Sequence, residues 1–207
     1  MRRCLAILGV FAAAGSVALY FEIGSPGTPD RPLASRTSEA TVAHQNDQMF
    51  QMAGQLKAKL EENPNQPEGW MLLGRTYRTL DRFDDSAMAF KHAVDTSDRS
   101  PEALSAYGGA LVLLNQGTVT PEARDVFTET VVKNPLDGRA RFYLGAAKVQ
   151  AGDLRGALQE WIDLASLAPP DAAWLPQVRT KIEEIAKEAG IDPATITPTP
   201  GLPSSGS

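Results

Sequence analysis

The chain has 207 residues, of which 43% are hydrophobic and 22% charged, a composition typical of a folded globular protein. Its net charge of -5 gives no reason to expect a nucleic-acid partner, because phosphate binding needs a basic face. Cys4 is the only cysteine, which excludes an internal disulfide, a thiolate zinc site and a redox pair. No catalytic set stands out, and His44 and His92 lack a second ligand at metal spacing. The sequence therefore predicts no enzyme, no metal and no cofactor.

Residues 1–23 are predicted to form a single-pass transmembrane anchor. Arg2 and Arg3 precede an uncharged run from Cys4 to Phe21, which as a helix would span roughly 27 Å, close to the thickness of a bilayer's hydrocarbon core. No basic residue follows this run until Arg31. The positive-inside rule therefore predicts a cytoplasmic amino terminus, with the rest of the chain on the other side of the membrane.

The alternative to a retained anchor is a cleaved signal peptide. Three alanines at 12–14 offer the small-residue site that signal peptidases cut. The apolar run, however, continues past these alanines as far as Phe21. That continuation favours an anchor that stays in the membrane, and it leaves the cleaved form as the second interpretation.

Two segments have a composition that is too poor in apolar residues to build a core. Residues 24–45 begin with a cluster of glycine, serine and proline and continue as a polar run, which is typical of a linker. Residues 191–207 end in a run rich in proline, threonine, glycine and serine, and they are predicted to be a disordered tail. The folded domain is therefore expected between residues 46 and 190.

Within 46–190 the apolar residues recur at helical spacing, without the alternation of strands. Trp70, Leu73, Gly74 and Tyr77 follow the i, i+3, i+4, i+7 pattern of one helix face. Two further segments, Ser100-Pro101-Glu102 and Thr120-Pro121-Glu122, place a capping hydroxyl before a proline and an acid, as at the start of a helix. The predicted fold class is all-α.

The helices repeat with a period close to 34 residues. Corresponding residues, which lie 34 or 37 positions apart, are Gly74, Gly108 and Gly145, then Phe90, Phe127 and Trp161, then Pro135 and Pro169. A period of this length resembles the tetratricopeptide repeat, a helix pair that stacks into a superhelix. About three such pairs are predicted, with the small residues allowing close helix packing and the aromatic residues filling the core.

Two flanking helices are predicted to cap the stack of repeats. The first runs from about Asp47 to Asn63 and the second from about Ala172 to Ala189. The second has four apolar residues on one face, namely Trp174, Val178, Ile182 and Ile185. Terminal helices of this kind shield the exposed ends of a stacked core.

Several segments are more specific than the repeat pattern. They are GSPGTPDRPL at 24–33, LEENP at 60–64, EGWMLLGRTY at 68–77, VTPEAR at 119–124, ARFYLG at 140–145 and PPDAAW at 169–174. Together, in this order, they resemble the carboxyl-terminal part of c-type cytochrome biogenesis proteins of the CcmI/CycH type. The resemblance covers roughly residues 5 to 190.

The resemblance implies a function and a location. Members of this family are proteins of the bacterial cytoplasmic membrane with a periplasmic repeat domain. They bind apocytochrome c, chiefly through its carboxyl-terminal helix, and present it to the haem-ligation and haem-chaperone components of cytochrome maturation. A typical member has an earlier membrane span and a cytoplasmic loop, whereas this sequence starts at what resembles the second span.

The resemblance to tetratricopeptide repeats also implies a binding surface, because the first helix of each pair lines the concave side. Its inward positions are the second, fifth, ninth and twelfth. From these positions the peptide-binding groove is predicted to contain Met71, Arg75, Arg78, Val112, Arg139, Phe142 and Val149. Apolar residues mixed with arginines suit an amphipathic helix that carries acidic side chains. A scaffold that joins folded subunits of another envelope complex, and an enzyme with an unrecognised site, are the competing interpretations.

Overall fold

A computed structural model describes residues 33–169 and 171–199, with side chains from residue 41 onward. These residues form eight α-helices, one 3₁₀ helix and no β-strand. The helices are α1 (Leu33–Glu62), α2 (Pro67–Thr79), α3 (Phe83–Thr96), α4 (Pro101–Leu114), α5 (Pro121–Lys133), α6 (Gly138–Gln150), α7 (Leu154–Leu167) and α8 (Leu175–Ala189), followed by the 3₁₀ helix Pro193–Thr195. The all-α prediction is confirmed for this part of the chain.

Helix α1 begins earlier than the sequence predicted. It starts at Leu33, within the segment 24–45 that was interpreted as a linker, instead of near Asp47. The reason is that no proline or glycine occurs between Pro32 and Gly54, so a polar segment can still be helical. The chain divides into two units between residues 45 and 46, and the features below belong to the second.

The predicted membrane anchor, residues 1–23, lies outside the described residues. Of the helices that are described, none is both long enough and apolar enough to cross a membrane.

Side-chain caps fix where the helices of the repeats begin. Ser100 Oγ accepts a hydrogen bond from the Ala103 N–H at 3.3 Å, and Thr120 Oγ1 accepts one from the Ala123 N–H at 3.2 Å. Both caps had been predicted from the Ser-Pro-Glu and Thr-Pro-Glu segments. Such caps satisfy backbone donors that would otherwise have no partner.

Helices α2–α3, α4–α5 and α6–α7 are three consecutive pairs, and each helix also packs against the next one along the chain. Within each pair a glycine of the first helix lies against an aromatic ring of the second. The pairs are Gly74 with Phe90, Gly108 with Phe127, and Gly145 with Trp161. The predicted role of the periodic glycines and aromatics, close packing and core filling, is confirmed because all three rings are buried.

A buried ion cluster joins the helices of the third pair. Arg141, whose side chain is only 8% exposed, donates to the Pro135 carbonyl at 2.6 Å and to Glu160 at 3.1 Å. Lys148 approaches the other carboxylate oxygen of Glu160 at 2.9 Å. A buried arginine is stable only when its charge and donors are matched in this way.

The predicted tail is partly ordered, because it packs on α7. Ile196 is buried in a second hydrophobic cluster, which α7 and α8 form with residues such as Leu158, Trp161 and Ile182. The carboxylate of Asp163, which is buried in α7, accepts hydrogen bonds from the backbone N–H of Thr199 at 2.8 Å and from its hydroxyl at 2.7 Å. Disorder was therefore the wrong prediction for 191–199, since a buried carboxylate needs such donors. The rest of the tail lies outside the described residues.

Candidate peptide-binding groove

The first candidate site is a cavity of about 390 Å³ between α2, α4, the α5–α6 loop and α6. We call it the arginine cavity, and the lining side chains that matter most are Met71, Arg75, Arg78, Ser105, Asp137 and Arg139. The three arginines come from two different helix pairs, far apart in sequence. The fold thus brings together four of the seven predicted groove residues.

The charges of this cavity favour an anionic ligand. Arg75 approaches Glu102 at 3.8 Å, but both side chains are at least half exposed, so the pair is weak. Neither Arg78 nor Arg139 has an ion-pair partner among the described residues. The remaining acid, Asp137, is occupied: its Oδ1 accepts from the Ala140 N–H at 2.8 Å and from the Ser105 hydroxyl at 3.0 Å. Unpaired guanidinium donors are therefore the main unused polar groups in the cavity.

The side chain of Arg139 lies close to Gly109 of α4. A β-carbon added at Gly109 would lie 3.3 Å from Cδ of Arg139, tighter than an ordinary contact. Position 109 is an inward position of the second repeat, and its lack of a side chain makes room for the aliphatic part of Arg139.

A second cavity, of about 640 Å³, lies between α6, α7 and the start of α8. We call it the aromatic cavity, and its principal lining residues are Leu136, Arg139, Phe142, Trp174 and Val178. The Phe142 ring is half-buried and stacks on Trp161 with 5.8 Å between the ring centroids. Gly138 and Arg139 line both cavities, which makes the two adjacent.

Two of the predicted groove residues are placed elsewhere by the structure. Val112 is 2% exposed and belongs to the core, because α4 packs against α2, α3, α5 and α6 and has no free face there. Val149 is half-buried against the second hydrophobic cluster and lines neither cavity. The positional rule was wrong for Val112, since it treats each repeat as if its inward face were open. For Val149 the groove position stays a prediction.

Sequence reasoning missed two residues that line the aromatic cavity. The sequence predicted Trp174 on one face of the last helix together with Val178, Ile182 and Ile185, but it precedes α8 as its N-cap residue and is 38% exposed. Leu136 is 46% exposed in the loop before α6. The available signal was the PPDAAW segment, whose prolines keep Trp174 out of the preceding helix.

One of the two histidines of the chain, His92, has a packing contact. His92 stacks on Trp70 with ring centroids 4.4 Å apart, and neither residue lines the arginine cavity or the aromatic cavity. No group of three histidine, cysteine, aspartate or glutamate side chains within 33–169 and 171–199 is arranged to hold a metal ion.

Comparison with known proteins identifies the family. The family model described as "Cytochrome c-type biogenesis protein H TPR domain" matches residues 32–174, which is more than half of the chain. The chain belongs to this family. The predicted resemblance to CcmI/CycH-type proteins is thereby confirmed.

The CycH proteins of two rhizobia are similar over most of the chain. The protein from Bradyrhizobium diazoefficiens is 32% identical over 89% of this chain and 50% of its own length. The one from Rhizobium meliloti is 33% identical over 89% of this chain and 47% of its own. A third, from Pseudomonas aeruginosa, is 27% identical over 75% of this chain and 38% of its own. The chain thus spans about half the length, or less, of these curated relatives.

Solved structures show a similar fold. The crystal structure of MamA superposes with a TM-score of 0.57 at 17% identity, covering 79% of this chain and 88% of that one. A second MamA structure gives a TM-score of 0.50 at 18% identity, covering 71% and 82%. At this level of identity the similarity concerns the fold alone.

Proposed function

We propose that this chain acts in c-type cytochrome maturation by binding the carboxyl-terminal helix of apocytochrome c in its groove and presenting it to the haem-ligation complex. Membership of the CycH-type family supports the pathway. The observation that carries the binding step is the arginine cavity, in which Arg78 and Arg139 have no ion-pair partner within the described part of the chain and Met71 provides an apolar wall. An amphipathic helix with acidic residues on its polar face has the complementary chemistry.

The groove suits an unfolded client better than a folded one. An amphipathic helix that has not yet packed into its own protein exposes an apolar face, which a concave surface can cover. Once haem nucleates the fold of the cytochrome, that face packs against the rest of the cytochrome. The proposed adaptor therefore releases its client when maturation is complete, without any catalytic group of its own.

We also propose the bacterial cytoplasmic membrane as the site of action, with residues 1–23 as a single-pass anchor and the repeat domain in the periplasm. The two arginines before the apolar run support this orientation. A reporter enzyme that is active only in the periplasm, fused after residue 190, should be active in cells. The fusion should also stay in the membrane fraction, whereas a shortened soluble form would indicate a cleaved signal peptide.

The decisive experiment compares apocytochrome with mature cytochrome. The full chain, purified in a mild detergent, should bind apocytochrome c of the same organism in calorimetry. It should bind the holocytochrome at least about tenfold more weakly, a difference of about 1.4 kcal/mol. Equal binding of both forms, or of neither, would contradict the chaperone function and would favour a scaffold for folded subunits.

A further inference from the structure

Trp174 differs from the other two tryptophans of the chain in its surroundings. The indole N–H groups of Trp70 and Trp161 donate to backbone carbonyls, of Pro64 at 2.8 Å and of Phe142 at 3.0 Å, and both rings are buried. The indole N–H of Trp174 has no hydrogen-bond partner among the described residues, and the residue is 38% exposed. An exposed indole with an unused donor is typical of binding surfaces, because its ring offers an apolar contact and its N–H group a polar one.

The ring of Trp174 lies over the beginning of α6, at the edge of the aromatic cavity. A β-carbon added at Gly138 would lie 3.6 Å from its Cζ2 atom, an ordinary contact distance. Phe142, which also lines this cavity, has two ring contacts of its own: it stacks on Trp161 and meets the edge of Tyr143 with centroids 5.5 Å apart. The cavity, of about 640 Å³, can therefore accept a large apolar side chain without rearrangement.

The two cavities have opposite chemistry but a common border. The arginine cavity offers guanidinium groups, whereas the aromatic cavity offers the rings of Phe142 and Trp174. Arg139 and Gly138 line both cavities, so a single extended or helical ligand can cover both at once. The arrangement requires a ligand that is acidic at one end and apolar at the other.

We infer that the aromatic cavity is a second subsite of the groove, and that it binds a large apolar side chain of the same peptide whose acidic group enters the arginine cavity. This inference rests on the proposed function in taking a peptide as the ligand. Trp174 is the specificity-determining residue of the apolar subsite, and Arg78 is that of the acidic subsite. Each of these two residues lines only one of the cavities.

The test is a selection from a random peptide library displayed on phage, with the full chain in detergent as the bait. The wild-type chain should enrich peptides that combine acidic residues with a large apolar residue at a recurrent spacing. Selection on Trp174→Ala should lose the apolar preference and keep the acidic one. Selection on Arg78→Ala should lose the acidic preference and keep the apolar one, because Arg78 lines the arginine cavity.

A matched control is available on the surface of α5. Val132 is 77% exposed and lines neither cavity, so Val132→Ala should enrich the same peptides as the wild type. The inference is overturned by three outcomes: no enriched peptide, unchanged peptides with Trp174→Ala, or loss of both preferences in both variants. The last outcome would indicate a single undivided site.

A second measurement uses the fluorescence of Trp174 itself. A selected peptide should shift tryptophan emission to shorter wavelength and reduce quenching by acrylamide, because it covers Trp174, the one exposed tryptophan of the three in the chain. Trp174→Phe should bind the peptide within about threefold of the wild type but lose this signal, while Trp174→Ala should bind about tenfold more weakly. An emission shift that persists in Trp174→Phe would overturn the inference.

The same variants separate this inference from the proposed function. If apocytochrome c does not bind but the selected peptides show the two separable preferences, the cytochrome client is wrong and the two-part groove stands. If apocytochrome c binds equally well to the wild type and to Trp174→Ala, and the selections are identical, the second subsite is wrong and the proposed function stands.

Discussion

Gly74 lies so close to the ring of Phe90 that a β-carbon added at position 74 would be 2.6 Å from Cδ1 of Phe90. The ring cannot move away easily, because it is completely buried between the helices of the first repeat. The close approach of α2 and α3 therefore depends on the absence of a side chain at this position. The same relationship recurs in the other two helix pairs, which explains why glycine and aromatic residues share one period.

Gly74→Ala should accordingly destabilise the domain by about 1–3 kcal/mol, as expected for overpacking a well-packed core. Gly54→Ala is the matched control, because a β-carbon at this position of α1 would meet nothing within 4 Å. The control should raise stability by roughly 0.5–1 kcal/mol through better helix propensity. Chemical unfolding followed by circular dichroism measures both, and a stabilised Gly74→Ala would contradict the role given to the close contact.

The buried ion cluster of the third repeat predicts a large effect for Arg141→Ala. Removal of the guanidinium group leaves the Pro135 carbonyl and one oxygen of Glu160 without their donor. We expect a loss of about 2–3 kcal/mol, less than the roughly 3–5 kcal/mol for a fully unpaired buried charge, because Lys148 still neutralises Glu160.

The control for this prediction is Arg124→Ala. Arg124 forms an exposed ion pair with Asp125 at 3.4 Å, and its loss should change stability by no more than about 0.5 kcal/mol. Equal effects of the two substitutions would show that burial of Arg141 does not matter for stability.

The pair of Arg99 and Glu129 predicts a pH dependence. Arg99 donates to both carboxylate oxygens, at 2.8 and 2.5 Å, which lowers the pKa of Glu129 from its ordinary value of about 4.5. A lowered pKa in the folded state means that the unfolded state binds the proton more readily. The stabilisation of the folded state by the Arg99–Glu129 pair is therefore complete above about pH 4.5. It is lost as the pH falls through the lower pKa of Glu129 in the folded state.

Glu129→Gln should remove the part of the pH dependence of stability that comes from the Arg99–Glu129 pair. The effect at neutral pH should be at most about 1 kcal/mol, because half of the Arg99 side chain is exposed to solvent. Glu188→Gln, at an exposed position of α8, is the control and should leave the profile unchanged. Unfolding measured between pH 3 and 7 checks the sign, and a variant with the same acid slope as the wild type would refute the prediction.

Local signals and long-range contacts explain what the sequence could and could not predict. Patterns that span a few residues or one repeat predicted the N-cap residues Ser100 and Thr120 and the burial of Phe90. The burial of Val112 could not be predicted in this way, because it depends on how many helices surround α4. The ordered structure near Thr199 could not be predicted either, because it depends on the carboxylate of Asp163 in α7, which is distant in sequence.

The groove residues give the prediction that separates binding from stability. Met71 is 8% exposed but lines the arginine cavity, and Phe142 lines the aromatic cavity. Met71→Ala and Phe142→Ala should each weaken binding of apocytochrome c by on the order of 1–3 kcal/mol. Val112→Ala removes a core side chain instead, so it should lower stability by roughly 1–3 kcal/mol and leave the affinity of the folded fraction unchanged.

The arginines should act mainly on the rate of association. Arg75→Glu and Arg139→Glu reverse a charge that would attract an acidic helix, so each should slow association, most strongly at low salt. Arg155→Glu, at an exposed position of α7 that lines neither cavity, tests whether net charge alone causes the effect. Stopped-flow measurements at several salt concentrations distinguish the two cases. If Arg155→Glu slows association as much as Arg139→Glu does, the attraction comes from the overall charge of the domain, and the arginine cavity does not steer the ligand.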